Sequence, residues 1–162
     1  MLSQRPVIEI KLSTQSLIFQ RDSTKKIYSI SSAKNGAGQL SGSACTPLGH
    51  HIIRAKIGHG LPVNSVFRGR RFTDEIYSPE LAKLNPERDW ILTRILWLSG
   101  KELGYNRLDG VDSMQRYIYI HGTPDTEPMG IPLSHGCIRM RNSDMIELFE
   151  LTPVGTDVYI QK

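Results

Sequence analysis

The residue types best able to do chemistry fall in two short strings, His121-Gly122-Thr123-Pro124 and Ser134-His135-Gly136-Cys137-Ile138-Arg139-Met140. A cysteine thiol of ordinary pKa, about 8.5, is a weak nucleophile at neutral pH, and a nearby imidazole can take its proton and hold the thiolate as an ion pair. That logic assigns Cys137 as the nucleophile and His121 as its base. Gly136 permits backbone conformations closed to other residues and lets a substrate approach the main chain. Amide N–H groups near Gly136 and Cys137 can then stabilise the oxyanion of a tetrahedral intermediate, so the chemistry on offer is acyl transfer. The carbonyl of Gly122, or a group beside it, can orient the His121 ring as a third partner does in a triad. His135 adjoins Gly136, so its side chain is expected to face away from the sulfur in a supporting role. Free cysteines are also often buried as small hydrophobes, and composition alone leaves a packed thiol open.

Several elements must position these groups. Residues 7–12, 16–20, 26–30 and 51–57 are short, β-branched or aromatic and partly alternating, the pattern of half-buried strands. Residues 31–49 are rich in Ser, Gly and Ala and end in Thr46-Pro47-Leu48-Gly49, which favours loop and turn. Leu81 and Leu84 suit one helical turn; Trp90, Ile91, Arg94, Ile95 and Leu98 suit an amphipathic helix closed by Gly100. On that reading Trp90 and Trp97 are helix-packing residues, with a lid over the cleft as the alternative. Asp109-Gly110-Val111-Asp112 reads as a turn, and residues 116–121 as a strand delivering His121 to the edge of the site. After Cys137, Asn142 or Ser143 can cap a helix running to about Leu151, and residues 157–161 form a last strand. Strands dominate: the expected fold is mainly β, a sandwich or barrel-like sheet with a few short helices, in one domain over residues 1–162.

The whole string from His121 to Cys137 resembles the catalytic signature of the L,D-transpeptidase (YkuD-type) family, in which a histidine and a short loop precede Ser-His-Gly-Cys. The resemblance extends from Gln15-Ser16-Leu17 through Thr46-Pro47-Leu48-Gly49 to Pro153-Val154-Gly155-Thr156-Asp157-Val158. It implies a mostly β catalytic domain, no cofactor, and a ping-pong reaction on the tetrapeptide stem of peptidoglycan. Cys137 would attack the carbonyl between the third residue, a diamino acid, and the terminal D-Ala, leaving a thioester. An amine acceptor would give cross-links or D-amino-acid exchange; water would give hydrolysis. Ser134, His135 and Gly136 would shape the pocket, and Arg139, where some members carry Asn, would pair with a substrate carboxylate. A carbapenem adduct at Cys137 is implied as well. An alternative of another class is a non-catalytic module that binds wall peptides or muropeptides.

Composition narrows the setting. With 39% hydrophobic and 22% charged residues the chain has a globular balance and no sign of disorder. The most apolar stretch, residues 90–98, is broken by Thr93 and Arg94, so no membrane span is expected. The start, Met-Leu-Ser-Gln-Arg-Pro-Val-Ile-Glu-Ile-Lys, lacks the basic segment and apolar run of a secretory signal. A cytoplasmic location is therefore expected, with periplasm or cell wall if an export signal has been removed. That setting makes Cys45 and Cys137 two free thiols and favours an L,D-carboxypeptidase of wall recycling over a cross-linking enzyme. A net charge of +4 raises the question of nucleic acid, but Arg68-Gly69-Arg70-Arg71 is the one dense basic cluster and no nucleic-acid motif accompanies it. It reads as a solvated loop or a contact for substrate carboxylates. His50, His51 and His59 lack metal-ligand spacing, and no metal is expected.

Overall fold

Along β1 (Val7–Lys11) the apolar residues Ile8 and Ile10 are fully buried while Glu9 between them faces solvent, the alternation that a sheet with one wet face requires. The same rule builds β2 (Ser16–Arg21), β3 (Thr24–Ser31) and β10 (Asp157–Gln161), whose inward residues include Leu17, Phe19, Tyr28, Ile30, Val158 and Ile160. The remaining strands are β4 (Gly49–Ile57), β5 (Ser65–Arg68), β6 (Arg71–Ile76), β7 (Ile91–Gly100), β8 (Tyr119–Gly122) and β9 (Ile138–Met140). Two helices complete the chain, α1 (Pro79–Leu84) and α2 (Asn142–Leu151). This computed structural model describes residues 2–162.

The strands pair in the order β4-β10-β1-β2-β3-β9-β8-β7-β5-β6, and a further β4–β7 pairing closes the sheet into a barrel-like ring from which the β5–β6 hairpin projects. Most neighbours are antiparallel; β1 with β10 and β8 with β9 are parallel. Met145, Leu148 and Phe149 recur at helical spacing on the inner side of α2 and join the barrel core. The mainly β, barrel-like fold is therefore as the sequence suggests, including the strands near both ends and the short helices at Leu81 and at residues 142–151.

Three readings are corrected. Residues 91–100 form a strand, not a helix: β7 pairs with β4, β5 and β8 and is buried over most of its length. A strand covered on both faces need not alternate, so Ile91, Ile95 and Leu98 falling at helical intervals was a coincidence of a continuous apolar run. Trp97 accordingly lies on a strand, and Trp90, just before it, packs edge-on against Tyr77. The β5–β6 hairpin was not anticipated; Arg68 pairs with Arg71, making Gly69-Arg70 a two-residue turn. At α2 the cap position falls to Arg141 with no side-chain cap bond, because Asn142 turns its amide inward.

Candidate active site

Strands β8 and β9 run side by side with Ile120 opposite Ile138 and His121 opposite Arg139. Period-two alternation sends Ile120, Ile138 and Met140 into the barrel core and leaves Tyr119, His121, Cys137 and Arg139 for the other face. Cys137, one residue before β9, thus lies diagonal to His121; the two side chains share no direct hydrogen bond, since His121 Nδ1 donates to Gly122 O, and Sγ donates to Tyr117 O and accepts from Tyr119 N. Cys137 is half-buried and Ser134, His121 and Arg139 are buried, whereas the His135 side chain is 73% exposed and turned outward.

The turn before the sulfur is held rigidly. Gly136 has φ of +136°, a conformation that favours glycine, and a Cβ there would also crowd Cys45 O at 3.3 Å. Ser134 Oγ donates to Cys137 O at 2.6 Å and accepts from Gly136 N at 3.2 Å, while Thr46 Oγ1 donates to Gly136 O at 2.9 Å. With the Gly136 N–H so engaged, the Cys137 amide is the donor this turn can offer to an oxyanion. Gly122 O accepts from His121 Nδ1 at 2.6 Å. A carbonyl only accepts, so Nδ1 carries the proton and Nε2 keeps its lone pair. Gly122 has no room for a side chain: an added Cβ would collide with Asn142 Oδ1 and Leu92 O.

The electrostatics place a thiol, not a thiolate, in the resting site. Burial pushes the Cys137 pKa up to about 12, against the opposing pull of the Tyr119 N–H, which donates to Sγ at 3.3 Å. The S–H in turn points to Tyr117 O, also at 3.3 Å. Burial also lowers the His121 pKa, although its bond to Gly122 and the nearby Asp89 carboxylate act the other way. The resting pair is therefore neutral thiol and neutral imidazole, in place of the ion pair expected from sequence.

Arg139, expected to be free for substrate, donates through Nη2 to Asp89 Oδ1 at 3.0 Å and approaches Glu127 at 4.0 Å. Asp89 also meets His135 Nδ1 at 3.4 Å. These four side chains line a cleft of about 300 Å³ with Trp90 and Thr123. A second cleft of about 280 Å³ lies on the other side of His135, lined by Ser41, Ala44, Arg116 and Ile118. Sequence reasoning missed Asp89, Tyr117 and Tyr119, since a lone carboxylate and two backbone groups carry no motif. It also missed Arg116, whose guanidinium bonds Gly38 O, Gln39 O, Ser43 Oγ and Cys45 O and so ties the 33–48 loop beneath Gly136.

Residues 5–160 match the model of the L,D-transpeptidase catalytic domain, YkuD. The chain belongs to this family. Among curated relatives it is similar to the probable L,D-transpeptidase YbiS of Escherichia coli, 51% identical over 43 residues that make up 26% of this chain and 14% of the relative. It is likewise similar to the putative L,D-transpeptidase YkuD of Bacillus subtilis, 49% identical over 43 residues, 26% of each chain. Among solved structures, L,D-transpeptidase 3 from Mycobacterium tuberculosis in complex with a faropenem-derived adduct superposes with a TM-score of 0.61 at 14% identity, over 97% of this chain and 60% of that one. The YkuD-family domain here thus shares that fold but spans only part of the length of these relatives.

Both cysteines are free, and Cys45 sits in the 33–48 loop with its sulfur 3.6 Å from the carbonyls of Asn35 and Ser43. Among the described residues no grouping of His, Cys, Asp and Glu is arranged to hold a metal, and no helix is long and apolar enough to cross a membrane.

Proposed function

We propose that this domain cleaves the L,D peptide bond before the terminal D-Ala of peptidoglycan tetrapeptide stems through a thioester on Cys137. The observation that carries the reading is the placement of His121 and Cys137 on one face of paired strands, with Nδ1 of His121 tied to Gly122 and Nε2 left as the base. As Sγ bonds to the carbonyl carbon its proton passes to His121, and the developing oxyanion is received by the Cys137 N–H. Collapse of the intermediate expels the amine of D-Ala, which takes the proton from His121. Forming the thiolate only as the substrate displaces Tyr117 O from the S–H avoids leaving a bare charge in a half-buried site.

With water as acceptor, His121 removes a proton from it, the thioester is hydrolysed and the products are tripeptide and free D-Ala. Hydrolysis is the favoured outcome because water needs no docking site. The domain is then an L,D-carboxypeptidase, acting in the cytoplasm on soluble stem peptides recovered from the wall or carried by precursors. A second reading is supported by the clefts on either side of His135, which suit a donor and an acceptor stem and hence transpeptidation. A β-lactam that acylates Cys137 fits either reading, in line with the faropenem-derived adduct of the M. tuberculosis relative.

Mass spectrometry of the protein incubated with a disaccharide-tetrapeptide, with and without a D-amino acid, tests this. Tripeptide formation by the wild type but not by Cys137→Ala is expected, together with a covalent carbapenem adduct on the wild type alone. D-amino-acid exchange or dimers would move the function to transpeptidation. No conversion in any sample would leave a peptide-binding module.

A further inference from the structure

The same two tyrosines whose backbone groups hold the Cys137 sulfur carry an arginine on their side chains. Tyr119 gives its N–H to Sγ and Tyr117 its carbonyl to the S–H. Arg70, at the tip of the β5–β6 hairpin, donates through Nη1 to Tyr119 Oη at 3.2 Å, and its guanidinium lies 4.7 Å from the Tyr117 ring centre and 5.0 Å from that of Trp97. Arg54 approaches the same Trp97 ring at 5.5 Å. Two like charges thus lie against one aromatic ring. Among the described residues no carboxylate lies within salt-bridge distance of either, whereas Arg139 on the other side of the site is already paired with Asp89.

Two cations held at one aromatic ring repel each other, and the ring compensates only in part. An arriving anion relieves the repulsion and can use the guanidinium donors that Tyr119 leaves free. We infer that Arg70, assisted by Arg54, forms a carboxylate-binding subsite for the stem peptide beside the Cys137 sulfur. This rests on the proposed action on stem peptides and adds a determinant of which stems are accepted. Two carboxylates of the donor have the required chemistry: a side-chain carboxylate on a third-residue diamino acid, and the terminal carboxylate of D-Ala. A stem lacking the relevant group, through amidation or through a lysine-type third residue, binds more weakly.

The test is calorimetric binding to protein carrying Cys137→Ala, so that affinity is read without turnover. Three tetrapeptides are compared: one with both carboxylates free, one amidated on the third-residue side chain, and one amidated at the C-terminus. One amidation is expected to weaken binding about tenfold, the size of a charged hydrogen bond, and which one does so names the carboxylate recognised. Adding Arg70→Gln should erase that difference and Arg70→Lys should retain part of it; Arg54→Gln should reduce it without disturbing the Tyr119 bond. Equal binding of the three peptides, a difference that survives Arg70→Gln, or no binding of any peptide overturns the subsite. Selective binding combined with no D-Ala release by the Cys137 enzyme would keep the subsite and remove the catalytic reading. Unselective cleavage of all three would do the reverse.

Discussion

Several influences act on the Cys137 sulfur, and they differ in sign. Burial and the Asp89 carboxylate raise its pKa; the Tyr119 N–H, Arg139 and Arg116 lower it. Burial wins, and the thiol ends at about 12. The two charges nearest the cleft can be separated by substitution. Asp89→Asn removes a charge that disfavours the thiolate, so alkylation of Cys137 by iodoacetamide is expected to become faster at a fixed pH above 8. Arg139→Gln removes one that favours it, and alkylation should slow. Rates that shift in the same direction in both variants would show that packing, not charge, sets the reactivity of this thiol. Cys137, His121, Ser134 and Gly136 were legible as candidates because they fall in two short strings of recognisable spacing. Asp89 and Arg116 were not, since they act from other segments, and the pairing of Arg139 with Asp89 joins residues separated by strands β7 and β8 and two long loops.

At the scale of elements, β7 explains what the sequence hid. Leu92 pairs with Gly122 and Ile95 with His121, so the ladder slips between them, and Thr93 in the slip has φ of +75°. A β-branched residue in the left-handed region is rare and must be held by its surroundings. Here Thr93 Oγ1 accepts from Asn64 N at 3.0 Å and donates to Asn142 Oδ1 at 2.6 Å, which ties β7 to the start of α2 directly behind Gly122. The bulge disturbs the period of two that would have marked a strand, and burial on both faces removes the rest of that signal. Replacing Thr93 with Val keeps the shape but strips both bonds from a fully buried site. A loss of about 1–3 kcal/mol is expected, read as a lower urea midpoint with unchanged m-value. A shift within error would mean that water replaces the hydroxyl and that the bulge is held by packing alone. The outer strands β1, β2 and β3 were legible for the opposite reason: one wet face keeps their alternation clean.

For the whole molecule, a buried histidine couples the barrel to the loop that serves the site. His51 on β4 is fully buried, with Nε2 at 2.8 Å from Ser113 Oγ and Nδ1 at 3.0 Å from Gly49 O. Ser113 begins the segment that supplies Arg116 to the 33–48 loop and Tyr117 to the Cys137 thiol, so His51 fastens this segment to the closed sheet. Burial lowers its pKa to about 4, with His50 and Arg116 acting in the same direction and Glu102 against them. A histidine held neutral in the fold contributes stability that is present above its unfolded pKa near 6.5 and is lost as pH falls through 4. The difference corresponds to about 3 kcal/mol at most. The buried His121 acts with the same sign. The carboxylates Asp22, Glu75, Asp89, Glu147 and Asp157, whose pKa values are lowered by their partners, lose their contribution only at more acidic pH. Between pH 6.5 and 4.5 the decline therefore belongs to the histidines. His51→Gln should be less stable than the wild type at pH 8, and the two should converge as pH falls toward 4.5 in urea denaturation. A gap that stays constant across that range would mean that His51 does not titrate with unfolding, and the fastening of the 101–118 segment would then depend on packing and on Asn106, which reaches Leu48 O and His50 O from the same loop.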